Sequence, residues 1–150
     1  MRPFPPADNR WQQGSVVDAL YLTEDEATLW AEWYRHLAEA GVPPQRALPR
    51  DLWRIKVSAL RIADLSSAMR LARVDLEPPL PGRRTWLPYQ RVGETLWNEG
   101  WLGLVSPSAA RPEGLVLCLF INEAGSFPVE PIPPPIVVEE PPAPPQGMRT

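Results

Sequence analysis

The sequence predicts a single α/β (α+β) domain with a small mixed sheet and flanking helices, followed by a proline-rich C-terminal tail. Three observations lead there. Apolar runs at 16–22, 52–57, 102–105 and 115–120 have the length of buried strands. Stretches with helical spacing and helix-end signals lie between them, chiefly at 23–40 and 89–98. A chain of 150 residues suits one domain and is short for two. The expected division is a folded domain over residues 1–126 and an extended tail over 127–150.

Met1 to Pro6 reads as a proline-broken lead-in, and Val16 to Leu22 as the first strand. Thr23 and Glu26 then form a capping-box pattern, and Glu24 and Asp25 suit the positive end of a helix dipole. The helix runs to about Ala40, where Gly41 stops it and Pro43-Pro44 prevents its resumption. Ala27, Trp30, Ala31, Tyr34, Leu37 and Ala38 make one stripe at helical spacing, while Leu29 and Trp33 widen the apolar cover. Such a helix is expected to be buried on more than one side.

Leu52 to Val57 reads as a strand with Trp53, Ile55 and Val57 on one face. Asp64 is placed to cap a short helix over Leu65 to Arg73. Pro78 to Gly82 is a loop, and Tyr89 to Asn98 is a helix ended by Gly100. Leu102 to Val105 and Leu115 to Phe120 are the last two strands. Nine of the chain's 21 prolines fall between Pro128 and Pro145, so the tail is expected to carry little secondary structure. Two other readings of the tail are a ligand for a proline-recognising groove, and a segment packed on the domain through Ile132 and Ile136 to Val138.

Composition excludes several functions. A formal net charge of -3 gives no general field for nucleic acid, so no direct nucleic-acid partner is expected. Lys56 is the only lysine, and the other basic residues are arginines, whose planar forks can hold phosphate. One cysteine, Cys118, and one histidine, His36, supply neither a disulfide nor a metal cluster. No apolar run has membrane-spanning length and no signal peptide is evident, so a cytoplasmic protein with no membrane partner is expected.

Arg10, Tyr21 and Glu32 fall at intervals of eleven residues. Arg10 lies in Asn9-Arg10-Trp11, Tyr21 in the first strand, and Glu32 on the helix that follows. Ser108 lies far downstream in Ser106-Pro107-Ser108-Ala109-Ala110, just before a strand. Taken singly, each has an ordinary structural reading. Arg10 suits a surface ion pair, Tyr21 a core position, Glu32 a solvated pair with Arg35 or His36, and Ser108 a turn. His36 reads as a surface residue, and Ser106 competes with Ser108 because both flank Pro107.

In order, Arg10-Trp11, Tyr21-Leu22, Glu32, Pro107-Ser108-Ala109 and Leu117-Cys118-Leu119-Phe120 resemble the RES domain, a bacterial toxin family that destroys NAD. The resemblance covers roughly residues 8 to 121. Asn9 stands where the family usually has Gly, and Gln12 where it usually has Asn. Only nine residues precede Arg10, so the family's usual first strand is expected to be missing.

The resemblance implies an ADP-ribosyltransferase-like fold with NAD as substrate and no metal. It implies cleavage of the nicotinamide-ribose bond by hydrolysis or phosphorolysis. The alternatives are transfer of ADP-ribose to a protein and an inactive binding module. A cognate antitoxin, usually a small helical DNA-binding protein that blocks the active-site entrance, is the implied partner; no oligomeric state is implied. By the same resemblance Glu32, Tyr21 and Arg10 are the catalytic residues. Glu32 would stabilise an oxocarbenium-like ribose. Tyr21 would stack on nicotinamide, and Arg10 would grip the pyrophosphate. Ser108 would bind substrate beside them. The four side chains are therefore expected to converge on one cleft.

Overall fold

The computed structural model of the chain describes residues 9–58, 61–121 and 128–149. In chain order it contains β1 (Asp18–Thr23), α1 (Glu26–Ala40), a 3-10 turn (Pro44–Ala47), β2 (Arg50–Val57), β3 (Ile62–Asp64), α2 (Ala68–Ala72), α3 (Trp86–Asn98), β4 (Gly103–Pro107), β5 (Leu115–Ile121) and β6 (Val129–Val138). One sheet has the order β1-β5-β4-β3, parallel between β3 and β4 and antiparallel elsewhere. β2 and β6 form a second, two-stranded antiparallel sheet. This is the mixed α/β architecture that the sequence predicts.

Leu104 on β4, with Cys118 and Phe120 on β5, is buried with Trp11, Leu71 and Tyr89 in the main core. Val92, Leu96 and Trp97 of α3 pack against it, with the Trp97 ring edge-on to Phe120 at 6.0 Å. Burying one such large apolar side chain stabilises the fold by about 1.5–3 kcal/mol. Burial also pushes the Cys118 thiol up to about 12, which makes it an inert core residue rather than a nucleophile.

The core fixes the turn that carries Arg10. Asn9 and Gln12 exchange backbone hydrogen bonds of 3.0 and 3.4 Å, closing a tight turn around Arg10 and Trp11. Trp11 is buried edge-on against Tyr89 of α3, with ring centroids 5.2 Å apart. Gly93, one turn further along α3, lets the helix backbone approach closely: a Cβ there would sit 1.8 Å from the Trp11 carbonyl oxygen. The Gln90 amide completes the attachment by donating to the Asn9 carbonyl at 2.9 Å.

α1 follows β1 directly. Its N-cap is Asp25, whose carboxylate accepts from the Thr28 amide at 2.7 Å. The capping box expected from Thr23 and Glu26 is not what forms. Thr23 donates its hydroxyl to the Asp25 carbonyl instead, because Asp25 is the residue three positions before the amide that needs a partner. Gly41 ends the helix as expected, at φ +65°.

Asp64 also departs from expectation. Residues Ile62–Asp64 pair with Gly103–Val105 as a parallel strand, so Asp64 ends β3 rather than capping a helix over 65–73. Its carboxylate accepts from Ser66 at 3.0 Å, and Ser67 caps the shorter α2. On β2, Trp53 lines the same space as Ile55 and Val57 but lies at an irregularity of the ladder. The register breaks between Leu52 and Arg54, opposite Pro133 to Pro135, and Trp53 is left 43% exposed.

The largest correction concerns the tail. Val129–Val138 is a strand laddered on β2 from Val57 to Arg50. β6 has one sheet partner, so prolines without an N–H can face outward or bulge, and their fixed φ suits extended chain. Beyond it, the Tyr34 hydroxyl donates to the Pro142 carbonyl, and Arg149 binds the loop before β5. The lead-in expected over 1–6 and the boundary expected at 126 lie outside the described residues. Among the described residues no helix is long and apolar enough to cross a membrane.

The strand predicts that the tail contributes to stability. Deleting residues 128–150 should lower the melting midpoint by more than about 4 °C, the scale of a loss near 1 kcal/mol. An unchanged midpoint in a thermal melt would show that β2 does not depend on β6.

Candidate active site

Arg10, Tyr21 and Glu32 line one cleft of about 220 Å³, closed on its apolar side by Leu29 and Trp33 of α1. Three structural decisions bring them together. The 9–12 turn is pinned to α3, β1 carries Tyr21 at the sheet edge, and the reversal at Thr23–Asp25 lays α1 alongside. An adjoining space of about 820 Å³ shares Tyr21, Leu22, Thr23, Leu29 and Val116 and opens beneath Trp53 and Ile132 of the two-stranded sheet.

Glu32 is held at both carboxylate oxygens. The Ser108 hydroxyl donates to Oε1 at 2.7 Å. Arg35 donates to Oε2 through Nη2 at 2.7 Å and through Nε at 3.1 Å. Burial alone would raise the Glu32 pKa, but the charge of Arg35 and the hydrogen bond from Ser108 outweigh it and hold the carboxyl below its ordinary range. The result is a fixed anion on the cleft wall.

Ser108 sits behind that anion rather than in the cleft. Its oxygen accepts from the Ala110 and Arg111 amides at 3.1 and 3.0 Å while it donates to Glu32. One donor and two acceptor positions are the full capacity of a hydroxyl. The contact expected between Ser108 and substrate is therefore replaced by a contact with Glu32. It is Ser106 that lines the cleft, together with Pro107 and Ala109.

Tyr21 directs its hydroxyl away from ligand chemistry. The phenol donates to Gln12 Oε1 at 2.7 Å and accepts from the Trp11 amide at 3.2 Å. Burial and then the neighbouring Cys118 raise its pKa well above the ordinary value, so the phenol stays neutral. The ring face is what remains for a ligand.

Arg10 is buried, with Nη2 donating to the Leu80 carbonyl at 2.7 Å and its guanidinium 5.3 Å from the Tyr89 ring centroid. Its other terminal nitrogen, Nη1, is buried without a hydrogen-bond partner among the described residues. Burial and then the like charge of Arg35 lower its pKa. A buried, unsatisfied cationic donor costs free energy until an acceptor arrives. An anionic oxygen in the cleft would supply one.

Arg35 is the site residue that the sequence reading passed over. Its i+3 spacing from Glu32 was visible, but spacing does not distinguish a solvated pair from a buried clamp. Arg35 is 4% exposed and also binds Glu39 at 2.6 Å. His36, read as a surface residue, is exposed yet reaches the cleft rim, with Nε2 3.3 Å from Arg35 Nη2. Partial burial and then Arg35 lower its pKa, favouring the neutral ring. Among the described residues no group of three or more His, Cys, Asp or Glu could hold a metal ion.

Residues 1–141 match the sequence profile of the RES domain. The chain belongs to the RES domain family. A solved structure similar to this RES domain is that of the M. tuberculosis MbcT-MbcA toxin-antitoxin complex. The likeness has a TM-score of 0.74 at 22% identity, covering 87% of this chain and 71% of that one. It shows the shared fold. No curated protein sequence matches the chain.

The pinned carboxylate predicts a titration. Ser108→Ala removes a hydrogen bond from the charged form, so the Glu32 pKa should rise toward the ordinary value. A depressed carboxyl pKa contributes stability above the unfolded value, and that stability is lost as pH falls through the folded value. The variant should lose part of this contribution at neutral pH, where the carboxyl is ionised in both states. A carbon-13 NMR titration of Glu32 that is identical in wild type and Ser108→Ala would contradict the assignment.

Proposed function

We propose that this RES domain cleaves the nicotinamide-ribose bond of NAD. The observation that carries the reading is an ionised Glu32, fixed by Ser108 and Arg35, on the wall of a cleft also lined by Arg10, whose buried Nη1 has no hydrogen-bond partner among the described residues. One group suits a developing cation and the other an anion, and NAD presents both on either side of one ribose. The family match supports the same substrate.

The cleft is smaller than the roughly 300–1,000 Å³ of whole-ligand pockets. At about 220 Å³ it suits the reacting nicotinamide-ribose end, leaving the rest of the dinucleotide to the adjoining space. Nicotinamide lies against the Tyr21 ring, whose hydroxyl is held back by Gln12. Arg10 Nη1 takes a pyrophosphate oxygen. The bond between ribose C1′ and the nicotinamide nitrogen then breaks, and its electron pair leaves with neutral nicotinamide. Glu32 stabilises the positive charge that develops on the ribose. A water oxygen bonds to C1′ and releases its proton to solvent, yielding ADP-ribose, or an anionic oxygen of inorganic phosphate bonds to C1′, yielding the 1″-phosphate. Ser108 and Arg35 hold Glu32 rather than touch substrate.

Such an enzyme would act in the cytoplasm, where NAD is, and would need restraint. By likeness to the toxin-antitoxin complex, the partner is an antitoxin protein.

Incubation with NAD should release free nicotinamide, and Glu32→Gln should slow release by about a hundred- to a thousandfold. Tyr21→Ala should slow it more than Tyr21→Phe if the ring face carries the contact. Acceleration by added phosphate would assign phosphorolysis. Absence of nicotinamide release by the wild-type chain would overturn the reading.

A further inference from the structure

The tail continues beyond β6 as a strap that returns to the cleft from behind. The Tyr34 hydroxyl on α1 binds the Pro142 carbonyl, and Arg111 Nε donates to the Gln146 carbonyl at 3.0 Å. A turn follows, with the Met148 amide on the Pro145 carbonyl at 3.2 Å and Gly147 at φ +79°. The turn aims Arg149 at two loops. Its amide donates to the Ala110 carbonyl at 2.7 Å and its Nε to the Ala109 carbonyl at 2.8 Å. Its Nη2 donates to the Pro79 carbonyl at 2.7 Å.

Both loops serve the cleft. Ala109 and Ala110 adjoin Ser108, which holds Glu32 Oε1, and the Ala110 amide is itself one of the donors to Ser108 Oγ. Pro79 adjoins Leu80, whose carbonyl holds Arg10 Nη2. One guanidinium therefore ties the loop that orients the carboxylate to the loop that orients the other arginine. The acceptors lie about seventy and forty residues upstream of Arg149, so local chain stiffness cannot supply this link.

We propose that Arg149 is a positioning residue of the active site, clamping the Ser108 and Leu80 loops so that Glu32 and Arg10 face the cleft in register. A point cation is not enough for the task. Two carbonyls in different directions need the fork of a guanidinium, which lysine lacks.

Arg149→Ala and Arg149→Lys in the full chain test this, with two readouts. The first is the carbon-13 titration of Glu32 in the free protein. The groups facing that carboxylate are Arg35 and His36 on its own helix, Ser108 from the loop before β5, and Arg10 from the 9–12 turn. Both variants should raise the Glu32 pKa, because a relaxed loop withdraws the Ser108 hydroxyl. Arg149→Lys keeps the positive charge, so a rise in that variant cannot come from lost charge alone. It is also the milder change should the alanine variant fail to fold. The second readout is nicotinamide release, where kcat should fall roughly ten- to a hundredfold as Glu32 is misplaced, and KM should rise as Arg10 loses its aim at the pyrophosphate.

A merely structural role would lower the melting midpoint and leave the Glu32 titration of the folded protein in place. That outcome would overturn the clamp, as would a wild-type titration in Arg149→Lys. The effect on turnover rests on the NAD reading, but the titration does not. A wild-type chain that releases no nicotinamide would sink the NAD reading while the titration still decides the role of Arg149.

Discussion

The hydrogen bond from Ser108 to Glu32 is the contact on which the site depends. It joins the loop between β4 and β5 to α1 across 76 residues of sequence, and it fixes the direction of a partly buried charge. A hydrogen bond to a charged group contributes about 1.5–3 kcal/mol, more than a neutral one. Burial works against the ionised form, so the bond and the Arg35 pair must together outweigh that cost. They do so without exhausting the carboxylate, which accepts at more positions than the three donors fill. An anion that is both held and still able to face a cation is what oxocarbenium chemistry needs.

The other side of the cleft rests on backbone packing. The Arg10-Trp11 turn can approach α3 because Gly93 has no side chain, and Gln90 satisfies the turn's carbonyl. Gln12, a departure from the usual family pattern, receives the Tyr21 hydroxyl and so ties the turn to β1. Arg10 then reaches the Leu80 carbonyl with one nitrogen and leaves the other without a partner in the described structure. The order of these contacts explains why a surface-like arginine is buried: its neighbour Trp11 is a core residue and carries it inward.

Much of this was legible in the sequence. The resemblance of the ordered Arg10, Tyr21 and Glu32 to the RES pattern implied that they meet, as they do along one cleft, and the apolar runs located β1, β4 and β5. Other features were hidden for physical reasons. Asp64 resembles a helix cap, but its neighbours gain more by pairing with β4. The prolines of β6 argue against a strand by propensity, whereas a partner on one side only makes them tolerable. Arg35 looked like half of a solvated pair because periodicity does not report burial. Ser108 was expected to bind substrate, and sequence alone gave no sign of the three hydrogen bonds that tie it to Glu32 and to the Ala110 and Arg111 amides. The Leu80 and Pro79 carbonyls have no sequence signal at all, since every residue carries one.

A double-mutant cycle on nicotinamide release tests most directly whether Ser108 works through Glu32. Ser108→Ala should slow wild type clearly, and should cost almost nothing further on a Glu32→Gln background, because residues that act as one unit are not additive. Equal losses from Ser108→Ala on both backgrounds would contradict the account and would place the serine in contact with substrate instead.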